Sequence, residues 1–357
     1  MKPPQRVLVL RALMLGDMLC ATPALRALRH ALPDAHIALA GLPWAREWAG
    51  RLRSVDEFID FPGWPGMPER PDADLRSLRQ FLQQLRQRRF DLALQWHGSG
   101  AIVNRLLAQT GATQLAGFAD AAAWRPASQA GRFIDWPQQG SEIERLLALT
   151  DHLGWPRQGT GLDFPLQDED RRAADRLCRR LRGAPIVVVH PGARFASRRW
   201  PAARFAAVAD ALAAQGFAVV LTGSPGEAPL TAAVAGQMRA PAADLAGRTT
   251  LGALGALVQR ARLLLCNDTG ISHVAAALGT PSVVVSCGSD AARWLPLDTR
   301  LHRGLWHDVP CRPCMHVDCP LGHPCALGVQ VAEVRRAARS VLLQAARPSA
   351  GAWAPCG

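Results

Sequence analysis

Short apolar runs alternate along the chain with longer stretches in which Leu and Ala recur at helical spacing. Arg6 to Arg11 (RVLVLR) reads as a strand and Leu15-Gly16-Asp17 as a turn. Met18 to Leu32 reads as a helix, because its apolar positions fall every three or four residues. Ile37 to Leu39 and Val55 to Phe61 are expected strands. Leu75 to Arg88 is a basic amphipathic helix, followed by the strand Asp91 to Gln95. The stretch from Pro156 to Asp168 is rich in Gly, Pro and Asp, lacks periodicity, and marks a linker. The alternation then resumes with helix Asp170 to Leu181, strand Pro185 to His190, helix Ala202 to Gln215 and strand Ala218 to Thr222. Strand Leu263 to Cys266 leads into a turn, Asn267 to Gly270, that opens a helix to Leu278; strand Ser282 to Ser286 and a last helix, Val331 to Ala346, complete the series. Such alternation predicts an α/β fold with parallel sheets wrapped by helices. We expect two Rossmann-like domains facing each other across a cleft, spanning 1–160 and 161–346, with a flexible tail at 347–357.

Composition supports this division. A chain of 357 residues with 49% hydrophobic positions can build two separate cores. The formal net charge is +12, and Lys2 is the only lysine. Genome composition alone could produce this Arg bias; read functionally, it indicates an anionic partner. The basic residues are scattered, and no RNA-binding, zinc-finger or helix-turn-helix signature accompanies them, so an anionic ligand or a membrane surface is expected rather than nucleic acid. No run of 18 apolar residues occurs and the first ten residues lack a signal-peptide pattern, so the expectation is a cytoplasmic protein without a transmembrane helix.

Four loops carry candidate chemistry. Asn267-Asp268-Thr269-Gly270-Ile271-Ser272-His273 joins a buried strand to a helix rich in small residues, and free N–H groups at a helix start favour an anion. Asp268 or Thr269 could equally be a simple N-cap. His190-Pro191-Gly192-Ala193, followed by Arg198-Arg199-Trp200-Pro201, pairs a glycine turn with guanidinium forks suited to phosphate, or is an ordinary basic loop. Asp17 follows the first strand, either as a helix cap or as a general base. No G-x-G-x-x-G follows that strand, which disfavours a nicotinamide dinucleotide. Cys311, Cys314, Cys319 and Cys325 either hold one structural zinc or iron ion or pack within a loop stiffened by prolines 310, 313, 320 and 324.

Taken together these loops resemble glycosyltransferase family 9, the ADP-heptose:lipopolysaccharide heptosyltransferases, from Val7 to Leu343. The resemblance is most specific at Leu245 to Leu251, at Asn267 to His273, and at Gly288-Ser289-Asp290 with Arg293, Trp294 and Pro296. Arg11, Gly16-Asp17 and Thr22-Pro23-Ala24-Leu25 are similar to its opening motif. The resemblance implies a GT-B fold, with acceptor bound by the first domain and donor by the second, and inverting transfer that requires no cofactor. It implies heptose transfer from ADP-heptose to a lipopolysaccharide core hydroxyl by a protein in peripheral contact with the inner membrane. Asp17 matches the family's proposed base. Arg198 matches a basic position, usually lysine, that contacts the donor. Glu227 matches an acid on the ribose, and Asp268, Thr269, Gly270 and His273 match the loop on the diphosphate and sugar. The alternatives are a family 9 transferase using another nucleotide sugar or a protein acceptor, and a sugar-nucleotide epimerase or binding protein on the same scaffold.

Overall fold

The computed structural model of the chain describes residues 2–70, 73–181 and 183–345. The tail 347–357 and the final position of the expected last helix lie outside the described residues. The chain divides into two compact units between Pro165 and Leu166.

Each unit is built on one six-stranded parallel sheet. The first holds β1 (Arg6–Leu10), β2 (His36–Gly41), β3 (Glu57–Asp60), β4 (Leu92–Gln95), β5 (Gln114–Ala119) and β6 (Phe133–Asp135), in the order β3-β2-β1-β4-β5-β6. The second holds β7 (Ile186–His190), β8 (Ala218–Leu221), β9 (Ala242–Asp244), β10 (Leu263–Asn267), β11 (Ser282–Val285) and β12 (His302–Leu305), in the order β12-β11-β10-β7-β8-β9. Both are the doubly wound order, which reverses direction at β1/β4 and at β7/β10. The central strands are apolar at consecutive positions, as in Val187-Val188-Val189 and Leu263-Leu264-Leu265, because helices cover both faces and leave no solvent side.

The expected central strands and the helix Leu75–Arg88 are present. The opening differs. Leu15-Gly16-Asp17 is not a turn but the start of a short helix, Leu15–Cys20, and a second helix runs from Thr22 to Ala31. Gly16, Met18, Leu19 and Cys20 are buried in the first helix. Pro23 has no N–H to continue the first ladder, and Thr22 Oγ1 donates to the Leu19 carbonyl (2.8 Å) where the two helices meet. The patterning did not predict β5, β6, β9 or β12, nor the helices Glu142–His152 and Leu251–Arg260. β6 and β9 have three residues each, and β9 is half-exposed throughout, so neither carries a readable period.

Gly117 in β5 illustrates how closely these strands pack. A Cβ there would stand 2.7 Å from Gln95 Cβ, while Gln95 Oε1 accepts from the Phe118 N–H (3.0 Å) and its amide donates to the Gly98 carbonyl (3.0 Å). Gly117→Ala should therefore destabilise the protein by about 1–3 kcal/mol, the usual cost of overpacking. Urea unfolding of the variant checks this.

Candidate active site

Open α/β sheets bind ligands beyond the carboxyl ends of the strands, where the strand order reverses. In the first unit this point is β1/β4, and Arg11, fully buried, occupies it. Its Nε donates to the Asp17 carbonyl (2.9 Å), one terminal nitrogen to the carbonyl of Trp96 just past β4, and the other to Glu142 Oε1 (3.0 Å). Glu142 Oε2 accepts from Arg145 (2.8 Å), whose guanidinium lies 3.8 Å from the centre of the Trp136 ring. A buried charge needs this many partners. Asp17 sits in the first turn of its helix, next to this network. Burial pushes its carboxyl up to about 6; the Arg11 charge opposes the rise and the Glu142 charge adds to it. A carboxyl that titrates near neutrality suits proton uptake from a hydroxyl.

In the second unit the reversal lies at β7/β10, and the buried side chain of Asn267 organises it. Its Nδ2 donates to the Pro191 carbonyl (2.7 Å), and its Oδ1 accepts from the Trp200 N–H (2.9 Å). The loop between β7 and Trp200 is thereby fixed at both ends, and Arg198 lies on it. Glu227 stands at the end of a short turn after β8. Its Oε2 accepts from the N–H (2.7 Å) and hydroxyl (2.8 Å) of Ser224, and its Oε1 lies over Gly192, only 2.0 Å from where a Cβ would be. Burial lowers the pKa of His190, against the opposing pull of the Glu227 charge. Its Nδ1 meets Thr222 Oγ1 at 3.1 Å.

Asp268 follows β10 and accepts from Ser289 Oγ. Burial raises its pKa; Ser289, Arg198 and Arg312 oppose the rise and Asp290 adds to it. Thr269 is the N-cap residue of the helix Gly270–Leu278, but its side chain makes no capping bond, so the cap reading of this loop fails for Thr269. His273 is buried in that helix, edge-on to Trp294. Burial, followed by the charge of His302, lowers its pKa to about 4 and keeps it neutral at physiological pH. The structure thus gathers Arg198 with Asp268, and Glu227 with Gly192 and His190, at the strand ends of one sheet. Asp17 belongs to the other unit.

Of the two readings of the cysteines, the metal site is not supported. Among the described residues, no three His, Cys, Asp or Glu side chains converge into a metal-binding group. Three of the four sulfurs have packing or hydrogen-bonding partners of their own. Cys325 is buried in the apolar core with Trp200 and Ala326, Cys314 Sγ would stand 3.1 Å from a Cβ on Gly288, and Cys319 Sγ accepts from the His323 N–H (3.3 Å).

Sequence reading missed Glu142, Ser289 and Arg312 as members of these networks, and it gave Asn267 no role apart from its motif. Glu142 lies 131 positions from Arg11, too far for any local pattern to join them. A buried Asn at the end of an apolar strand was the one available signal, since such an amide must find partners.

A family model described as glycosyltransferase family 9 (heptosyltransferase) matches residues 78–324. Lipopolysaccharide heptosyltransferase 2 of Escherichia coli (strain K12) is 27% identical over 302 residues, covering 78% of this chain and 82% of that protein. Lipopolysaccharide heptosyltransferase 3 of Escherichia coli is 35% identical over 136 residues, covering 36% of this chain and 40% of that one. The solved structure of the Escherichia coli ADP-heptose lipopolysaccharide heptosyltransferase II aligns with 95% of this chain and 99% of its own, at a TM-score of 0.73 and 21% identity. That likeness identifies the fold as GT-B.

Asn267→Ala should release both ends of the β7 loop and leave the Trp200 N–H without its acceptor. We expect a stability loss of about 1–3 kcal/mol for the unpaired buried groups. Amide hydrogen exchange should also rise between Gly192 and Trp200. Unchanged exchange there would mean that Asn267 does not hold the loop.

Proposed function

The chain belongs to glycosyltransferase family 9, the heptosyltransferases, and on that premise we propose that it transfers heptose from ADP-heptose to a hydroxyl of the lipopolysaccharide core with inversion at the anomeric carbon. The acceptor oxygen attacks that carbon as the bond to the β-phosphate oxygen breaks. The hydroxyl proton passes to Asp17, and the negative charge appears on ADP. Donors preorganised around that charge stabilise it in the transition state. Arg198 and the N-terminus of the helix Gly270–Leu278 supply them, with Thr269 and neutral His273 beside the sugar and Asp268 accepting from its hydroxyls. Glu227 holds the ribose. A donor of this kind accounts for a site that combines a guanidinium, a helix start and carboxylates within one unit. We further assign the protein a peripheral position at the inner membrane, where its acceptor resides. No helix among the described residues is long and apolar enough to cross a membrane.

The observation that carries the mechanism is Asp17, a carboxyl at the β1/β4 reversal whose pKa is raised to about 6. A base must be ionised, so activity should fall as pH drops through about 6 rather than through the ordinary Asp value of 3.8. Asp17→Asn should retain ADP binding while turnover falls by roughly two to four orders of magnitude, and the acid limb should disappear with it. Near-normal turnover would return Asp17 to a structural role. Chelation by EDTA should leave the rate unchanged.

The donor assignment has its own test. Arg198→Ala should weaken ADP binding by about 1.5–3 kcal/mol, the scale of a charge-assisted hydrogen bond. Glu227→Gln should weaken ADP but hardly affect pyrophosphate, which has no ribose. Calorimetry with both ligands decides this, and equal weakening for pyrophosphate would remove Glu227 from the ribose. Competing ADP-heptose against other nucleotide sugars identifies the donor.

A further inference from the structure

The segment between β12 and the helix Pro324–Gly328 is stitched to the loops after β7 and β11. The Cys314 N–H donates to the Gly288 carbonyl (2.9 Å) and the Ser197 N–H to the Val317 carbonyl (3.0 Å). His323 Nε2 meets the Ser197 carbonyl at 2.8 Å, and Arg198 donates to the Cys314 carbonyl (2.9 Å). Gly288 makes the close approach feasible: its φ is +60°, and a Cβ there would crowd Cys314 Sγ at 3.1 Å and touch the Ser197 carbonyl at 3.4 Å. This seam delivers one charged side chain inward. A terminal nitrogen of Arg312 donates to Ser286 Oγ (3.1 Å) and to the Ser289 carbonyl (2.7 Å). Ser286 Oγ and Ser289 Oγ are 2.8 Å apart, and Ser289 Oγ donates to Asp268 Oδ2.

The direction of this chain is set at its ends. A guanidinium can only donate, and an ionised carboxylate can only accept. Ser286 therefore receives from Arg312 and spends its own proton on Ser289, which spends its proton on Asp268. We propose that Arg312 is a positioning residue of the donor site, ordering Ser286 and Ser289 so that Asp268 is held by one oxygen while its other faces the donor sugar. The cysteine- and proline-rich segment thus serves as the frame that carries Arg312 to the end of β11. The inference rests on the donor-site reading above and adds a residue to it.

The test is a double-mutant cycle in the full-length protein, using Arg312→Gln, Ser289→Ala and the pair, with KM for ADP-heptose and kcat measured separately. Each single change should raise the donor KM about tenfold, the scale of one hydrogen bond to a charged group. The pair should do no more than the worse single change, because both break one chain. KM for the acceptor should stay put, and Arg312→Lys, which still donates, should recover most of the donor KM. If Arg312→Gln melts early, Ser286→Ala interrupts the same chain without touching the segment and should reproduce the tenfold rise. A hundredfold rise in the double variant would mean that the two residues act independently and would overturn the proposal, as would an unchanged donor KM in Arg312→Gln or Ser286→Ala. ADP calorimetry on the unaltered protein separates the two readings. If it binds ADP while these variants behave normally, only the role of Arg312 falls; if it does not bind ADP, the donor site itself was misassigned.

Discussion

The amide of Asn267 sits at the end of β10 with no access to water, bonded on one side to the carbonyl of Pro191 and on the other to the N–H of Trp200. A buried amide left without partners is costly, so the chain between those two residues cannot drift without unsatisfied groups appearing. Trp200 in turn is buried against Phe205, and its indole N–H donates to the Val329 carbonyl (3.1 Å). The loop bearing Arg198 is therefore anchored to the core of its own unit. Arg198 then reaches the cysteine-rich segment, and that segment reaches the loop after β11 through Arg312. The loops after three strands thus form one connected polar network.

The first unit solves a related problem with charge. Arg11 occupies its reversal point and is satisfied by two carbonyls and Glu142, which also accepts from Arg145. Replacing such an ion pair with apolar groups is often neutral for stability, whereas removing one partner alone leaves a costly uncompensated charge. The charges of this pair also act on Asp17. Arg11 and Glu142 pull the Asp17 carboxyl in opposite directions while burial raises it, leaving a group that titrates near 6. His273 in the second unit moves the opposite way, to about 4, because burial disfavours its cationic form. At neutral pH the carboxyl is therefore largely ionised and the imidazole uncharged.

The cysteine-rich segment shows how little spacing alone decides about chemistry. Four cysteines within fifteen positions are compatible with a metal site, while the prolines that stiffen the loop fit simple packing. Folding places three of the four sulfurs in different surroundings, one in the apolar core, one over a glycine, one accepting from a backbone N–H. The polar work of the segment falls to Arg312, a residue that no motif singled out.

From sequence alone the periodic runs determined the α/β alternation and the central strands, because burial on both faces writes itself into consecutive apolar positions. The loops at the strand ends were also readable, since glycine, a helix start and charged residues occur together there. Edge strands of three or four half-exposed residues left no period to read, and Asp17 was taken for a turn because packing of Met18 and Leu19, not propensity, makes its helix. Only the tertiary structure decided which distant residues meet: Arg11 with Glu142, Asn267 with Pro191 and Trp200, Arg312 with Ser286 and Ser289. These pairings depend on the parallel crossover order, which brings strand ends together across many tens of residues. A local pattern carries no information about a partner that far away.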